Sequence, residues 1–367
     1  MQRLMITLLA AMLFAAPLAY AQQIQAADAK KKIVIIGGRN SHGATAHNWG
    51  EGTDLLVNAL NKESGLNVEA VGYKGGYPKD PSIFKGAATV VILCDGGGRH
   101  LLMKHLKEFK KYMDAGTGLV NVHYAVEVPK GEAGRAFLDW VGGYFETHWS
   151  VNPHWKAEFL KMPKHPITNG AKPFELNDEW YYHMRFRTQM KGVTPILSAH
   201  PPKDTLKRGD GAHSGNPAVR EAVLKRKEAQ HVAWAYDRSA NGGKGRGFGI
   251  TGAHYHKAWD NDSFRTVVLN AIVWTAGIEV PKGGVKSLPN PTTRLKGKKV
   301  AGSVSSKSIK LASGKGNTKG SAFASKIITP STPGHAVKVE ADIKGKNDLY
   351  LIASDAGDGF SCDWAAW

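Results

Sequence analysis

Short, continuous runs of β-branched and aliphatic residues recur along the first three quarters of the chain. Runs of this kind are typical of strands that are buried on both faces of a parallel sheet. The predicted strands are Lys32–Gly37, Ala88–Leu93, Gly118–Val122, His231–Tyr236 and Gly247–Thr251.

Apolar residues at helical spacing lie between these strands. Leu102, Leu106, Phe109 and Met113 form one stripe, and the glycine at position 116 ends that predicted helix. The other predicted helices are Asp54–Glu63, one that begins within Phe137–Val141, and a last one that Asp262 caps and Gly277 ends. Alternating strands and helices predict an α/β fold, with an open, mainly parallel sheet covered on both faces.

Two regions depart from this alternation. The stretch from Trp149 to Pro217 is less regular and is predicted to be an inserted set of hairpins and loops. After Lys299 the pattern changes to separate strands, predicted at Lys307–Leu311, Ala336–Ile343 and Leu349–Ala353. We therefore expect an α/β domain at 32–281, a Gly/Ser/Pro-rich linker at 282–299 and a small all-β piece at 300–367.

The first 21 residues have the pattern of a secretory signal peptide. A basic start at Arg3 precedes an apolar run from Leu4 to Leu18, and Ala19-Tyr20-Ala21 is a small-x-small cleavage site. The run is shorter than the roughly 20 apolar residues that a membrane-spanning helix needs. We expect an exported protein, periplasmic or extracellular, with no membrane span after cleavage.

Composition and charge narrow the possible partners. The chain has 367 residues, is 42% hydrophobic and carries a formal net charge of +18, which suits a folded protein of two domains. Lys282 to Val339 holds eleven Lys and one Arg but no acid. An exported protein rarely meets nucleic acid. We therefore expect this basic stretch either to form a solvated face or to bind an anionic envelope polymer. The two cysteines, Cys94 and Cys362, exclude a disulfide scaffold and a Cys-rich zinc site.

Histidines follow the predicted strands at four separate points. The first strand leads to His42 and His47, the third to His123, and the Gly247–Thr251 strand to His254 and His256. The second leads to Asp95, three glycines (Gly96, Gly97, Gly98) and His100. In an open α/β sheet, ligands bind outside the carboxyl ends of the strands. Imidazoles gathered there suit acid–base chemistry or metal ligation, although each His could also be a hydrogen-bonded loop residue.

The irregular region contains a second candidate cluster. Glu179, Trp180, Tyr181 and Arg185 combine a carboxylate, aromatic rings and a guanidinium, as a sugar site requires, although a hairpin with paired aromatic residues would look the same. The loop Asp210–Asn216 carries no motif specific enough for a prediction.

Three sequence pieces, SHGATAHNW, GGYFETHWSVNPHW and DGAHSGNP, resemble an exported subgroup, in planctomycete-type bacteria, of the ThuA-like (trehalose utilisation) family. Five further pieces, in order, resemble the family as a whole. They are IVIIGG with SHG, GTGLVNVHYAV, HPITNG at 165–170, DEWYY at 178–182, and GRGFGITGAHYHKAW leading to FRTVVLNAIVWTAG. The last residues, LYLIASDAGDGFSCDWAAW, resemble a carbohydrate-binding β-sandwich of the NPCBM kind. Such a sandwich normally has more chain, so we expect this domain to be incomplete.

The resemblance implies a flavodoxin-like, doubly wound fold of the class I glutamine amidotransferase type. It implies a role in carbohydrate metabolism, linked to keto derivatives of disaccharides, and a metal at the histidine site. It also puts His123 where amidotransferases carry their nucleophilic cysteine. An imidazole cannot form the thioester of that reaction, so glutamine amidotransfer is excluded.

These observations predict an exported carbohydrate-active protein. A divalent metal, with zinc as the first candidate, would bind His42, His123, His254 and His256. Asp95 with the Gly96–Gly98 turn would orient the sugar, and Glu179 or a remaining histidine would move the proton. Cleavage of a keto-glycoside by elimination or hydrolysis would fit. A non-catalytic carbohydrate-binding protein is the alternative, and a surface protein that binds anionic polymer is a third.

Overall fold

The structure, a computed structural model, describes residues 30–43, 45–288, 308–313 and 349–354. The expected signal peptide and the strand predicted at Ala336–Ile343 lie outside these residues, as does Cys362. The chain divides into two compact units, Met1–Asn290 and Pro291–Trp367.

The first unit is built on a seven-stranded sheet of order β2-β1-β3-β4-β11-β10-β9. Among the described residues, the strands are β1 Lys31–Gly37, β2 Val68–Lys74, β3 Ala87–Leu93, β4 Gly118–Val122, β5 Gly143–Tyr144, β6 His154–Phe159, β7 Phe174–Glu179, β8 Arg185–Phe186, β9 Val193–Ala199, β10 Gln230–Asp237, β11 Arg246–Ile250, β12 Ser308–Ser313 and β13 Leu349–Ser354. Strands β2, β1, β3, β4 and β11 are parallel, whereas β10 pairs antiparallel with both β11 and β9.

Helices cover both faces of this sheet. The α-helices are α1 Trp49–Asn58, α2 Leu106–Asp114, α3 Glu132–Trp140, α4 Pro217–Arg220 and α5 Asp262–Thr275. Alternate residues of β1 enter two separate cores, with Ile33 and Ile35 on the side of α1 and α5 and Val34 and Ile36 on the side of α2 and α3. The predicted α/β, mainly parallel, doubly wound fold is confirmed.

The structure differs from the sequence prediction at several elements. Strand β2 was not predicted, and β9 joins the main sheet although it lies within the stretch expected to be hairpins and loops. Helix α1 begins at Trp49 rather than Asp54, and α3 begins at Glu132, before Phe137.

Other boundaries differ less. Asn261, not Asp262, caps α5, because its side-chain oxygen accepts the backbone N–H of Phe264. The hairpin β6–β7 lies in the predicted irregular stretch, as does β8, which pairs with β5 just before that stretch. No helix among the described residues is long and apolar enough to cross a membrane. In the second unit, β12 and β13 form an antiparallel pair.

His100 gives the fold a sensitivity to acid. Its side chain is buried and its Nδ1 accepts the backbone N–H of Leu102, while burial lowers the pKa of His100 to about 3. In the unfolded chain the imidazole takes up a proton near pH 6.5. Protonation therefore favours the unfolded state, and stability is lost as the pH falls from about 6.5 towards 3.

Replacing His100 with Asn is expected to weaken this acid sensitivity, because an amide oxygen can accept the Leu102 N–H but does not titrate. Between pH 6.5 and 5 the wild type should lose about 2 kcal/mol of unfolding free energy that the variant keeps, at about 1.4 kcal/mol for each pH unit and proton. Urea unfolding at the two pH values measures the difference. Equal losses in the two proteins would contradict the assignment.

Candidate metal centre

Four neighbouring strands deliver polar side chains to one edge of the sheet. The loops after β1, β3, β4 and β11 carry His47, Asp95, His123 and His254, and these strands are adjacent in the sheet. The rings of His47, His123 and His254 have centroids 4.7–5.2 Å apart. Three of the histidines that follow the predicted strands, His47, His123 and His254, therefore meet at this edge.

One atom from each of four buried residues converges on a single point. They are Nε2 of His47, Nε2 of His123, Nδ1 of His254 and Oε2 of Glu179, all within 4.8 Å of one another. The His47 nitrogen lies 3.2 Å from that of His123 and 3.0 Å from that of His254, which are 3.3 Å apart. The Glu179 oxygen lies 3.5 Å from the His123 nitrogen and 3.0 Å from the His254 nitrogen.

Hydrogen bonds outside this group determine which nitrogens carry protons. Nδ1 of His123 lies 2.6 Å from the carbonyl oxygen of Thr251, which can only accept, so this nitrogen donates. Nδ1 of His47 lies 3.1 Å from Oδ1 of Asp95 and donates to that carboxylate. Burial lowers the pKa of His47 to about 4, despite the opposing effect of Asp95, so its ring is neutral near pH 7. When the His123 ring is neutral as well, both Nε2 atoms turn a lone pair towards each other.

This arrangement fits a divalent cation. Two lone pairs and a carboxylate oxygen facing one another repel unless a positive charge lies between them. Zinc binds nitrogen and oxygen at about 2.0–2.2 Å, and a tetrahedron of such ligands has edges of about 3.3–3.5 Å. The measured separations of 3.0–3.5 Å are close to that value. Three imidazoles and one carboxylate are also ligands typical of zinc and related metals.

Asp95 and Ser41 hold the His47 ring in this orientation. Oδ1 of Asp95 accepts the Ser41 hydroxyl at 2.7 Å and the Trp49 indole N–H at 3.2 Å. Burial alone would raise the pKa of Asp95, but the hydrogen bonds from His47, Ser41 and Trp49 outweigh it and lower the pKa to about 2. Such outer carboxylates fix the tautomer of metal-binding histidines. In this structure Asp95 therefore orients the His47 ring, whereas the sequence predicted that it would orient the sugar.

Glu179 is tied to its surroundings through both carboxylate oxygens. Oε1 accepts the amide N–H of Asn152 at 3.1 Å, and Oε2 accepts the Tyr181 hydroxyl at 3.3 Å. Burial alone would raise the pKa of Glu179, yet interactions with the His123 and His254 imidazoles hold it well below its usual range. Glu179 therefore stays ionised and can serve as an anionic ligand.

A neighbouring carboxylate anchors the loop that carries His254. Asp178 is fully buried, and its oxygens accept the backbone N–H groups of Glu179 at 2.8 Å, Ala253 at 2.7 Å and His254 at 3.1 Å. Glu179 lies at the end of β7, outside the main sheet, so Asp178 links the two parts of the centre, together with the hydrogen bond from the Thr251 hydroxyl to the Tyr181 carbonyl.

The backbone around the centre is strained. His42, His47, His123 and Ala253 adopt positive φ angles of 59°, 48°, 54° and 83°, a region that residues with side chains rarely enter. Strain of this kind costs about 1–3 kcal/mol for each residue and concentrates at functional sites. At His123 it forms the sharp turn from β4 into the 3-10 helix His123–Val126.

The converging set differs from the predicted metal ligands at two positions. His42 is exposed and bonded to the Ser41 hydroxyl, and it belongs instead to a second group, with His47 and Asp95, whose ligand atoms also lie within 4.8 Å of one another. His256 begins a 3-10 helix and its Nε2 lies 4.0 Å from Oε2 of Glu51. His47 and Glu179 take the two places instead. Nothing local in the sequence distinguishes His47 from His42, because the Ser41–Asp95 contacts that select it come from two different loops.

Two of the three glycines in the predicted substrate-binding turn, Gly96–Gly98, make close backbone contacts within the protein. The Gly97 N–H donates to the backbone oxygen of Glu127 at 2.9 Å. A Cβ on Gly96 would lie 2.2 Å from the Tyr124 carbonyl oxygen, so close backbone packing requires glycine there. Gly98 has open space around it.

The aromatic cluster divides into buried and site-facing residues. Trp180 is fully buried and its indole N–H donates to the Leu176 carbonyl, so its ring offers no face for a sugar. Arg185 forms an ion pair with Glu146 and lies over the Trp149 ring. Tyr181 does reach the centre, with its hydroxyl 3.2 Å from Nε2 of His123.

Solved structures with a similar chain course include two ThuA-like proteins. One, from Bacteroides uniformis ATCC 8492, is 19% identical, with 67% of this chain and 91% of that chain covered and a TM-score of 0.47. The other, from Parabacteroides merdae ATCC 43184, is 17% identical, with 71% and 96% covered and a TM-score of 0.46. Among curated proteins, none matches this chain.

The family model of ThuA, described as trehalose utilisation, matches residues 39–275. That range holds all four converging residues and six of the seven strands of the main sheet. It is well over half of the chain, and the chain therefore belongs to the ThuA, trehalose utilisation, family.

Proposed function

We propose that this protein is a metal-dependent enzyme that acts on a sugar, with zinc as the first candidate metal. The observation that carries the proposal is the convergence of three imidazole nitrogens and one carboxylate oxygen, with two lone pairs oriented inwards by hydrogen bonds to Thr251 and Asp95. A non-catalytic sugar-binding protein would have no need of lone pairs held face to face.

Two observations support a substrate class: the family to which the chain belongs and the polar groups around the candidate metal centre. Trehalose utilisation indicates a disaccharide or a derivative of one. A keto-disaccharide is the finer proposal, because a bound divalent ion would polarise its carbonyl oxygen and so acidify the neighbouring C–H. Around the centre, the exposed side chains of His42, His154 and Arg208 supply polar groups that can bond sugar hydroxyls.

The roles of the chain's own residues can be stated. His47, His123, His254 and Glu179 would hold the ion. Asp95 orients His47, and the Tyr181 phenol, whose pKa burial raises well above its usual value, stays protonated and donates to Glu179. The sequence pattern of residues 1–21 further supports a proposal that the protein is exported to the periplasm or beyond.

The test combines metal analysis with a substrate screen. Purified protein is expected to contain one divalent ion for each chain, and to release product from keto-disaccharides only while that ion is present. Unmodified disaccharides and chelator-treated protein are the comparisons. Metal-replete protein that binds sugar without converting any of these compounds would overturn the enzyme proposal in favour of the binding protein.

A further inference from the structure

A second imidazole–carboxylate pair lies at the same edge but outside the four converging residues. Nε2 of His213 is 2.9 Å from Oε1 and 3.1 Å from Oε2 of Glu127. The Glu127 side chain is 3% exposed, whereas 36% of the His213 side chain is exposed. The Glu127 carboxylate is therefore buried, and it orients the imidazole of His213, which is partly exposed to solvent.

The pair is connected to the metal centre by direct contacts. Asn152 donates from its backbone N–H to the His213 carbonyl at 3.2 Å and from its side chain to Glu179 at 3.1 Å. Arg208 donates to both the Asn152 side chain and the His213 carbonyl. One residue thus spans the distance between the His213 loop and a proposed metal ligand.

Aromatic packing and the glycine turn place the pair on the same rim. Phe145 stacks on His213 and also packs against Tyr181, whose hydroxyl touches His123, with ring centroids 5.3 Å apart in both contacts. On the other side, the Glu127 backbone accepts the Gly97 N–H from the turn that follows Asp95.

The proposed chemistry requires a proton carrier that the centre itself lacks. In the proposed role, the imidazoles of His47, His123 and His254 bind the ion through one nitrogen, and Glu179 binds it through oxygen. A group that moves a proton must lie nearby without being a ligand. His154 is the other candidate, with Nε2 3.8 Å from Oε1 of Glu179, but this carboxylate is already a proposed ligand of the ion.

We propose that His213, oriented by Glu127, is the general acid of this site and protonates the oxygen that leaves when the glycosidic bond of the sugar is cleaved. This inference rests on the proposed function. As the C–O bond breaks, its electron pair goes to the oxygen, which takes the proton from His213. In hydrolysis the carbon takes up the oxygen of a water molecule, which releases a proton, whereas in elimination a neighbouring C–H gives its proton to water. In either case that proton returns through the solvent to the His213 imidazole, so the acid is restored. The hydrogen bond to Glu127 raises the pKa of His213, as a donor near neutral pH requires.

The experiment compares two leaving groups on the same keto-sugar. One substrate carries a second sugar as its leaving group. With it, metal-loaded His213→Gln is expected to be slower than wild type by a factor of about 10²–10⁴, because the departing glycosidic oxygen needs a proton. With a 2,4-dinitrophenolate leaving group, which departs without protonation, the variant should be within about tenfold of wild type. Glu127→Gln should show the same pattern more weakly. The metal content of both variants is expected to equal that of wild type.

His154→Gln is the matched comparison and should slow both substrates by a similar factor. Equal slowing of both substrates by His213→Gln, loss of the ion in that variant, or the leaving-group pattern appearing in His154→Gln instead would each overturn the assignment of His213. A metal-loaded wild type that cleaves neither substrate would overturn the proposed function, and the inference with it.

Discussion

His123→Ala is expected to bind a divalent cation about a hundredfold more weakly than the wild type. Four-ligand zinc sites contribute about 10–16 kcal/mol of binding free energy, so one ligand accounts for about 3 kcal/mol, or two powers of ten in affinity. His123 has the strongest claim to be a ligand because its Nδ1 is committed to the Thr251 carbonyl. Titration of the metal-free protein with Co²⁺ or Zn²⁺, against a chromophoric chelator, measures the change.

Two further variants make this measurement specific. Asp95→Asn removes the carboxylate that orients His47 but leaves all four ligands, so affinity should fall about tenfold, at the lower end of the range for outer residues. His200→Ala changes an exposed histidine outside the converging set and should leave affinity unchanged. A wild type that binds no ion, or a His123→Ala variant that binds as tightly as wild type, would contradict the centre.

The main sheet was predictable where its strands are buried on both faces. The runs at β1, β3 and β4 are mostly apolar because helices cover both sides of the sheet, and the sequence pattern shows this directly. Strand β2 lies at one edge of the sheet and alternates between buried and exposed residues, with Gly72 in its middle, so its pattern is weak. Strand β9 contains Pro195, which argues against a central strand but is tolerated at the opposite edge, where β9 lies.

Helix α1 shows how packing overrides local preference. Gly50 and Gly52 in its first turn lower helix propensity, which is why the prediction began later, at Asp54. A Cβ on Gly52 would lie 3.1 Å from the Leu93 side chain of β3, so the close approach of helix and sheet favours glycine there.

The centre was predictable only in part, for a related reason. His123 and His254 follow their strands closely, so the topology of the sheet brings them together. His47 lies ten residues after β1, in a loop whose course depends on tertiary contacts to Asp95 and His254. Glu179 comes from a separate hairpin, and no sequence pattern states where that hairpin docks on the main sheet.

Docking of that hairpin leads to the second large expected effect. Asp178→Asn is expected to lower the free energy of unfolding by about 2–3 kcal/mol and also to weaken metal binding. An amide has one accepting oxygen where the carboxylate has two, so at least one of the buried N–H groups of Glu179, Ala253 and His254 loses its partner, at about 1–3 kcal/mol, together with a charge-assisted bond.

The metal effect of Asp178→Asn follows from the backbone of the 253–255 loop. Ala253 holds a φ of 83° directly before His254, and the Asp178 carboxylate is what satisfies both N–H groups in that conformation. Without it the loop can relax and carry Nδ1 of His254 away from the other ligands. Urea unfolding of the metal-free protein measures the first effect, and the chelator titration measures the second. Asp54→Asn, which breaks an exposed pair with Lys74, should cost at most about 1 kcal/mol and leave affinity unchanged. If Asp178→Asn behaves like Asp54→Asn in both measurements, Asp178 does not anchor the centre.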